Sequence, residues 1–292
     1  VTTATSVFSW SNTAAVDTRT WINGVHDLII AAGLVATTDT GQLDVSTITS
    51  TVNTSTTNLG YHAFKFPDTL QTTTPIIVKV TYYTDGLARP ALRLDVGSVT
   101  NGAGTLSSPS FSLANNTNMG ALQSGLTSYA CYVDGTFTMV LGAGYLSGGT
   151  ANNCVASLVV DRSRDATGTA TATGFLAESC TTCATAASQS RSLFGAASPA
   201  TNDAFIPAMI PSKTATTSSE GSNVNVFRHY MMVPGVRPSL GALTYYNAEF
   251  GALTPFTATV LGSAHVYLPM GVFVNYWSAA PVVGHCAAIR WE

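Results

Sequence analysis

Tyr129-Ala-Cys-Tyr-Val133, then Asp134-Gly135, then Phe137-Thr-Met-Val-Leu141 decides the fold class. Two runs of aromatic and β-branched residues flank an Asp-Gly pair, and that dipeptide is a strong signal for a two-residue turn joining antiparallel strands. Downstream, Val155–Val160 reads as a further buried strand, and it runs into Asp161-Arg-Ser-Arg-Asp165, the densest charge cluster of the chain. The sequence predicts that these charges mark a strand end reaching solvent as a turn, with a partner-docking salt-bridge cluster as the functional alternative. Ala172–Leu176 reads as one more strand before the loop Glu178–Ser190.

Upstream, alternation sets Tyr61, Ala63 and Lys65 against His62, Phe64 and Phe66. Ile76–Tyr83 is rich in β-branched and aromatic residues, Ala91–Val96 alternates again, and Asn101-Gly102 supplies a turn before a return strand around Leu106–Leu113. Beyond Ser190, strand character returns in Asn223–Val233, Phe256–Gly262, His265–Leu268 and Val272–Trp277, and Trp291 near the carboxyl end is expected to be tied down. Ser188–Phe194 and Asn202–Ala208 read as short turns.

One segment has helical spacing. Trp21, Ile22, Val25, Leu28, Ile29 and Ala32 recur every three or four residues, with Asp17 placed as the N-cap, His26 on the face away from Leu28, and Gly33 as the stop. Trp21 and Ile29 should meet a core or a partner. The whole predicts a mainly β protein of antiparallel β-sandwich-type units with one amphipathic helix near the amino terminus, an α+β start. The composition shift at Ala114–Gly125 divides it into an amino-terminal helix plus β unit, 1–114, and a larger β-rich unit, 126–292.

Composition limits function. Only 9% of the 292 residues are charged and the net charge is −3, whereas globular proteins average about a quarter charged residues. The twelve basic residues are scattered, which speaks against a nucleic-acid groove. No apolar run approaches the roughly 18 residues of a spanning helix, so no membrane insertion is expected. The opening Val1-Thr-Thr-Ala-Thr does not read as a secretory signal. Five cysteines, Cys131, Cys154, Cys180, Cys183 and Cys286, make an odd set, and Cys180-Thr-Thr-Cys183 reads as free or locally bridged thiols in a loop, in keeping with assembly in a reducing cytosol.

No motif announces a reaction. His26, His62, His229, His265 and His285 are isolated in sequence and form no metal-binding spacing. Serine-nucleophile signatures are absent, carboxylates are dispersed, and Gly102-Ala-Gly104 and Gly142-Ala-Gly144 read as turns. No catalytic residue, metal or cofactor is therefore expected. Trp21, Tyr245, Tyr246, Tyr276, Trp277 and Trp291 are candidate interaction anchors, because large aromatics dominate contact energetics.

The pattern Trp21-Ile-Asn-Gly-Val-His-Asp27, then Ala32-Gly-Leu-Val35, then Thr38-Asp-Thr-Gly-Gln42 resembles the opening of virion proteins of tailed bacteriophages. Tyr61–Phe66, Asp68–Leu70, Pro75–Tyr82, Leu94–Gly97, Asn101-Gly-Ala-Gly-Thr-Leu106, Val159–Asp165 and Gly174-Phe175 continue the likeness, which covers mainly the first 110 residues. It implies a virion structural protein of the tail, neck or baseplate region, made in the host bacterial cytoplasm. Such a subunit would assemble with copies of itself and with other virion proteins. The alternative is a carbohydrate- or host-receptor-binding module, a fibre or appendage tip using Tyr245, Tyr246, Tyr276 and Trp277 on a host surface glycan. A hydrolase acting on host polysaccharide would have only the dispersed carboxylates to draw on.

Overall fold

The computed structural model describes residues 2–8, 15–48, 56–85, 90–107, 111–113, 126–147, 150–165, 167–181, 193–194, 225–228, 242–246, 255–260, 263–272 and 286–291. Those residues are mainly β, in antiparallel sheets, with one α-helix near the amino terminus. The elements are β1 (Thr2–Phe8), α1 (Ala15–Ala31), β2 (Val35–Ala36), β3 (Thr56–Lys65), β4 (Ile77–Asp85), β5 (Pro90–Gly97) and β6 (Phe111–Leu113). There follow β7 (Leu126–Val133), β8 (Thr136–Ser147), β9 (Thr150–Arg164), β10 (Ala170–Thr181), β11 (Leu193–Phe194), β12 (Asn225–Arg228), β13 (Ala242–Tyr246), β14 (Phe256–Val260), β15 (Ser263–Val272) and β16 (Cys286–Arg290).

Three sheets result, ordered β1-β7-β8-β9-β10-β11, β2-β3-β4-β5-β6 and β12-β13-β16-β15-β14. The hairpin read from Asp134-Gly135 forms as expected. Val133 pairs with Thr136, and both turn residues have positive φ, +49° and +77°, as the two-residue turn that matches strand twist requires. Here the glycine matters twice, because a Cβ on Gly135 would also crowd Ala170 at 3.1 Å.

Helix α1 follows the apolar spacing, and Trp21, Ile22, Val25, Leu28 and Ile29 are all buried. Its start differs from the sequence reading. The helix begins at Ala15, so Asp17 lies within the first turn and not in the flanking N-cap position. Its end is as read: Gly33 has φ +103°, Gly33 N–H donates to the Ile30 carbonyl at 2.9 Å and Leu34 N–H to the Ile29 carbonyl at 3.3 Å. That pair of bonds is the glycine-terminated cap in which the next apolar residue folds back on the last turn, and Leu34 is indeed buried.

One continuous core is filled from α1, from Phe64, Val78, Val80, Tyr82, Leu92, Leu94 and Val96 of the second sheet, and from Ala130, Phe137, Met139, Leu141, Leu158 and Val160 of the first. β1 belongs to the amino-terminal segment but pairs with β7 along seven positions, Thr2↔Tyr132 to Phe8↔Leu126. The chain on either side of residues 114–125 is thus joined by both a sheet and a core. In the third sheet Trp291 is held as expected. Its N–H donates to the Val266 carbonyl at 2.7 Å and its ring meets Tyr129 edge-on at 5.4 Å.

Candidate functional site

Of the charge cluster read as a solvated strand end, Asp161, Arg162 and Arg164 are withdrawn from solvent and Asp165 alone is exposed. Along β9, alternation places Leu158, Val160 and Arg162 on one face of the strand, and Leu158 and Val160 belong to the core. The Arg162 side chain is accordingly 0% exposed, and Asp161 and Arg164 are each 3% exposed. An unpaired guanidinium would be costly to bury there, so its donors must be met inside the protein.

They are met by the connection between β3 and β4. Asp68, which flanks the 3-10 turn Thr69–Thr72, accepts from Arg162 Nε at 2.7 Å and from Nη2 at 2.6 Å, a two-point pairing of guanidinium and carboxylate. Nη1 donates to the Thr74 carbonyl at 2.7 Å, and the guanidinium lies over the Phe66 ring at 5.5 Å. From β7 the Tyr132 hydroxyl donates to Asp68 Oδ2 at 2.5 Å. Burial works to raise the Asp68 carboxyl, but the bonds from Arg162 and Tyr132 outweigh it and hold the group below its ordinary value. Burial and the contact with Asp68 push the Tyr132 phenol upward.

A second half of the cluster rests on the hairpin turn. Arg164 donates to Asp161 Oδ1 from Nε at 3.2 Å and Nη2 at 3.0 Å, to the Asp134 carbonyl at 2.7 Å and to the Gly168 carbonyl at 2.8 Å. Thr136 Oγ1 donates to the same Asp161 oxygen at 2.7 Å. With the Tyr132–Asp68 bond, the contacts of the two arginines fasten β7, β8 and β9 to the β3–β4 connection.

A smaller polar knot lies at the loop 37–44. The Asp39 carboxylate accepts from Thr100 Oγ1 at 2.7 Å and from Gly104 N–H at 3.0 Å, and Thr40 N–H donates to the Gly102 carbonyl at 2.7 Å. Lys79 Nζ donates to the Gly104 carbonyl at 2.7 Å and sits 4.5 Å from the centroid of Tyr61. Gly104, at φ +74°, has the Tyr61 ring where a Cβ would be, 2.1 Å from its nearest atom. The knot therefore joins the two segments Thr38–Gln42 and Asn101–Leu106.

Two histidines separated in sequence are adjacent in space. His26 and His62 have ring centroids 4.9 Å apart, within a cluster that includes Phe64, Tyr82 and, against Tyr82, Trp21. His62 Nε2 faces the Leu43 carbonyl at 3.0 Å, which can only accept, so that nitrogen carries the proton and Nδ1 accepts from the Tyr82 hydroxyl at 3.2 Å. Burial lowers the His62 pKa, the bond to Leu43 partly opposes this, and His26 lowers it further.

The sequence-predicted anchors separate. Trp21 is 1% exposed and edge-on to Tyr82, so the apolar stripe of α1 takes it into the core and away from any outer contact. Trp291 is half-buried against Tyr129. Tyr245 and Tyr246 occupy consecutive positions of β13, paired with Val226 and Asn225. Consecutive positions of a strand belong to opposite faces of its sheet, so β13 alone does not build one platform from both. Tyr276, Trp277 and Cys183 lie outside the described residues. Cys180 falls near the end of β10, and Cys131 is buried with its thiol 2.7 Å from Thr138 Oγ1.

Among the described residues no group of three or more His, Cys, Asp or Glu side chains could hold a metal, and no helix is long and apolar enough to cross a membrane. Comparison with protein-family models, with curated proteins and with solved structures finds no match for the chain. The site that the sequence did not disclose is the Asp68–Tyr132–Arg162 clamp. Its signal was there in the parity of β9, which puts Arg162 on the side of Leu158 and Val160.

Proposed function

We propose that this chain is a structural subunit of a tailed-bacteriophage virion, assembled in the tail, neck or baseplate region with copies of itself and with other virion proteins. One observation carries the reading: among the described residues, most of the chain's few charges are buried or half-buried. Among the charged residues whose exposure is described, only Asp27, Asp44, Lys65, Asp134 and Asp165 are exposed, while Asp95, Asp161 and Arg162 are buried and Arg164 nearly so. Among the described residues the exposed positions include many threonines, as at Thr2, Thr3, Thr5, Thr72, Thr73, Thr167 and Thr173. Cores of protein contacts are depleted in charge, so such an exterior suits coverage by neighbours. The resemblance carried by Trp21–Gln42 and Asn101–Leu106 names the kind of particle, and the Asp39 knot gives both segments a shared structural task.

The test is mass spectrometry of purified particles combined with labelling by an antibody raised against the chain. The expected outcome is a stoichiometric component labelled at the tail, neck or baseplate. A chain made during infection yet missing from the finished particles would overturn the reading.

A further inference from the structure

We infer that Asn101 is a site of self-modification: its side-chain amide is displaced by the Gly102 nitrogen through a succinimide, and the isoaspartate that follows releases the loop Asn101–Leu106 from the segment 37–44. The chemistry needs only this chain and water, so it holds whatever particle the chain serves.

Asn101-Gly102 and Asn23-Gly24 are the two places where glycine follows asparagine. Glycine leaves its peptide nitrogen unscreened by a Cβ, and attack on the preceding side-chain amide closes a five-membered ring. The fold treats the two pairs differently. Asn23 lies inside α1, where the helical ladder takes up the Gly24 N–H and the Cβ of residue 23 tilts back toward the helix start, away from that nitrogen. Asn101 and Gly102 are both exposed in the loop after β5. Gly102 has φ +82°, and among the described residues nothing lies within 4 Å of where its Cβ would be. Its N–H faces Thr100 Oγ1 at a long 3.3 Å. Asn101 Oδ1, in contrast, accepts from Ala103 N–H at 3.0 Å and from Thr105 N–H at 3.1 Å. Two backbone donors on that oxygen stabilise the negative charge that gathers there as the amide carbon becomes tetrahedral.

Gly102 N gives its proton to a solvent base and attacks Asn101 Cγ. The N–Cγ bond forms, the Cγ–Nδ2 bond breaks, and Nδ2 takes up a proton and leaves as ammonia. Water then opens the imide: addition at Cγ returns the chain as aspartate, and addition at the main-chain carbonyl leaves it joined through Cγ as isoaspartate. Aspartate keeps the acceptor that Ala103 N–H and Thr105 N–H use, so it adds a charge without moving the chain. Isoaspartate adds a methylene to the backbone just before Gly102. The Gly102 carbonyl is then carried away from Thr40, whose N–H and Oγ1 reach it at 2.7 and 3.1 Å. The Thr100↔Leu106 bridge closes the loop behind, so the change stays local.

Ageing the folded full chain in mildly alkaline buffer, followed by peptide mapping with mass spectrometry and labelling by isoaspartyl methyltransferase, provides the test. Asn101 should be lost at least about tenfold faster than Asn23, because attack depends steeply on geometry, and in denaturant the two should react at like rates. Hydrogen exchange at residues 100–105 should be faster in the isoaspartate fraction and unchanged in Asn101→Asp, which carries the new charge on an ordinary backbone. An Asn101 that stays intact, or that reacts no faster than Asn23 in the folded chain, would overturn the site. A preference for Asn101 that persists undiminished in denaturant would overturn the part given to the fold. Isoaspartate at 101 with exchange at 100–105 as slow as in the unmodified chain would overturn the release of the loop.

Discussion

The clamp at Arg162 and the knot at Asp39 do the same topological work with opposite physics. Each ties segments distant in sequence, Asp68 to Arg162 in one and Asp39 to Gly104 in the other. The clamp places a full positive charge where its side chain is 0% exposed, whereas the knot holds a half-buried carboxylate against one backbone N–H and one hydroxyl at the molecule's margin. Burial decides the cost of losing a partner. In the interior an abandoned charge has no water to turn to, but at the margin solvent replaces much of what was lost.

The largest effect is therefore expected at the clamp. Arg162→Ala should destabilise the protein by about 3–5 kcal/mol, because it strands Asp68 and the Thr74 carbonyl and opens a void beside Phe66. Denaturant unfolding followed by tryptophan fluorescence measures it. The joint replacement Arg162→Met with Asp68→Leu should recover part of the loss, since no unpaired charge remains. The Tyr132 hydroxyl proton would still lack its acceptor and the Thr74 carbonyl its donor, at about 1 kcal/mol each. If the single and joint variants unfold at the same midpoint, the clamp's cost is packing and not stranded charge.

The knot should cost less. Asp39→Ala removes two acceptor bonds at a solvent-reached site, and about 1–2 kcal/mol is expected. The loss should be local: faster hydrogen exchange in residues 100–105 with the strands of the first sheet unchanged. An effect as large as that of Arg162→Ala would erase the contrast drawn from burial.

How much of this was legible in the sequence follows from what each feature depends on. The hairpin at Asp134-Gly135, the helix from Trp21 to Ala32 and its glycine stop are local matters of turn chemistry and period, and the structure has them where the residues place them. The helix start is less well defined: Asp17 has N-cap chemistry but stands inside the first turn. The clamp was read the wrong way round because charged residues are ordinarily outside. In Leu158–Arg164 that habit was set against strand parity, and parity prevailed because Asp68, Gln71 and Thr74 stand ready opposite Arg162. No local signal could supply those partners, which lie about ninety residues away. Separation along the chain likewise hid the meeting of His26 with His62, which lie on different elements.

The smallest effect is expected from that histidine pair, as a dependence of stability on pH. His62 is held neutral in the fold: its pKa is lowered, first by burial and further by His26, against the bond to the Leu43 carbonyl. The groups that face it are His26 with Asp27 from α1, Tyr82 from β4, and Leu43 from the loop. Above the ordinary histidine value near 6.5 both folded and unfolded chains are neutral at this residue, and the fold loses nothing. As pH falls through that value the unfolded chain takes up the proton first, so stability declines until the lowered folded value is reached. Asp68 adds its own decline only in the carboxylate range, because its folded value is depressed and its contribution is present above that range. Unfolding free energy measured between pH 7 and 5 should therefore slope downward on acidification in the wild type. The slope should flatten in His62→Phe, which starts from lower stability for want of the Leu43 bond. An unchanged slope in that variant would assign the proton uptake to another group and leave the buried ring a purely structural partner of Tyr82.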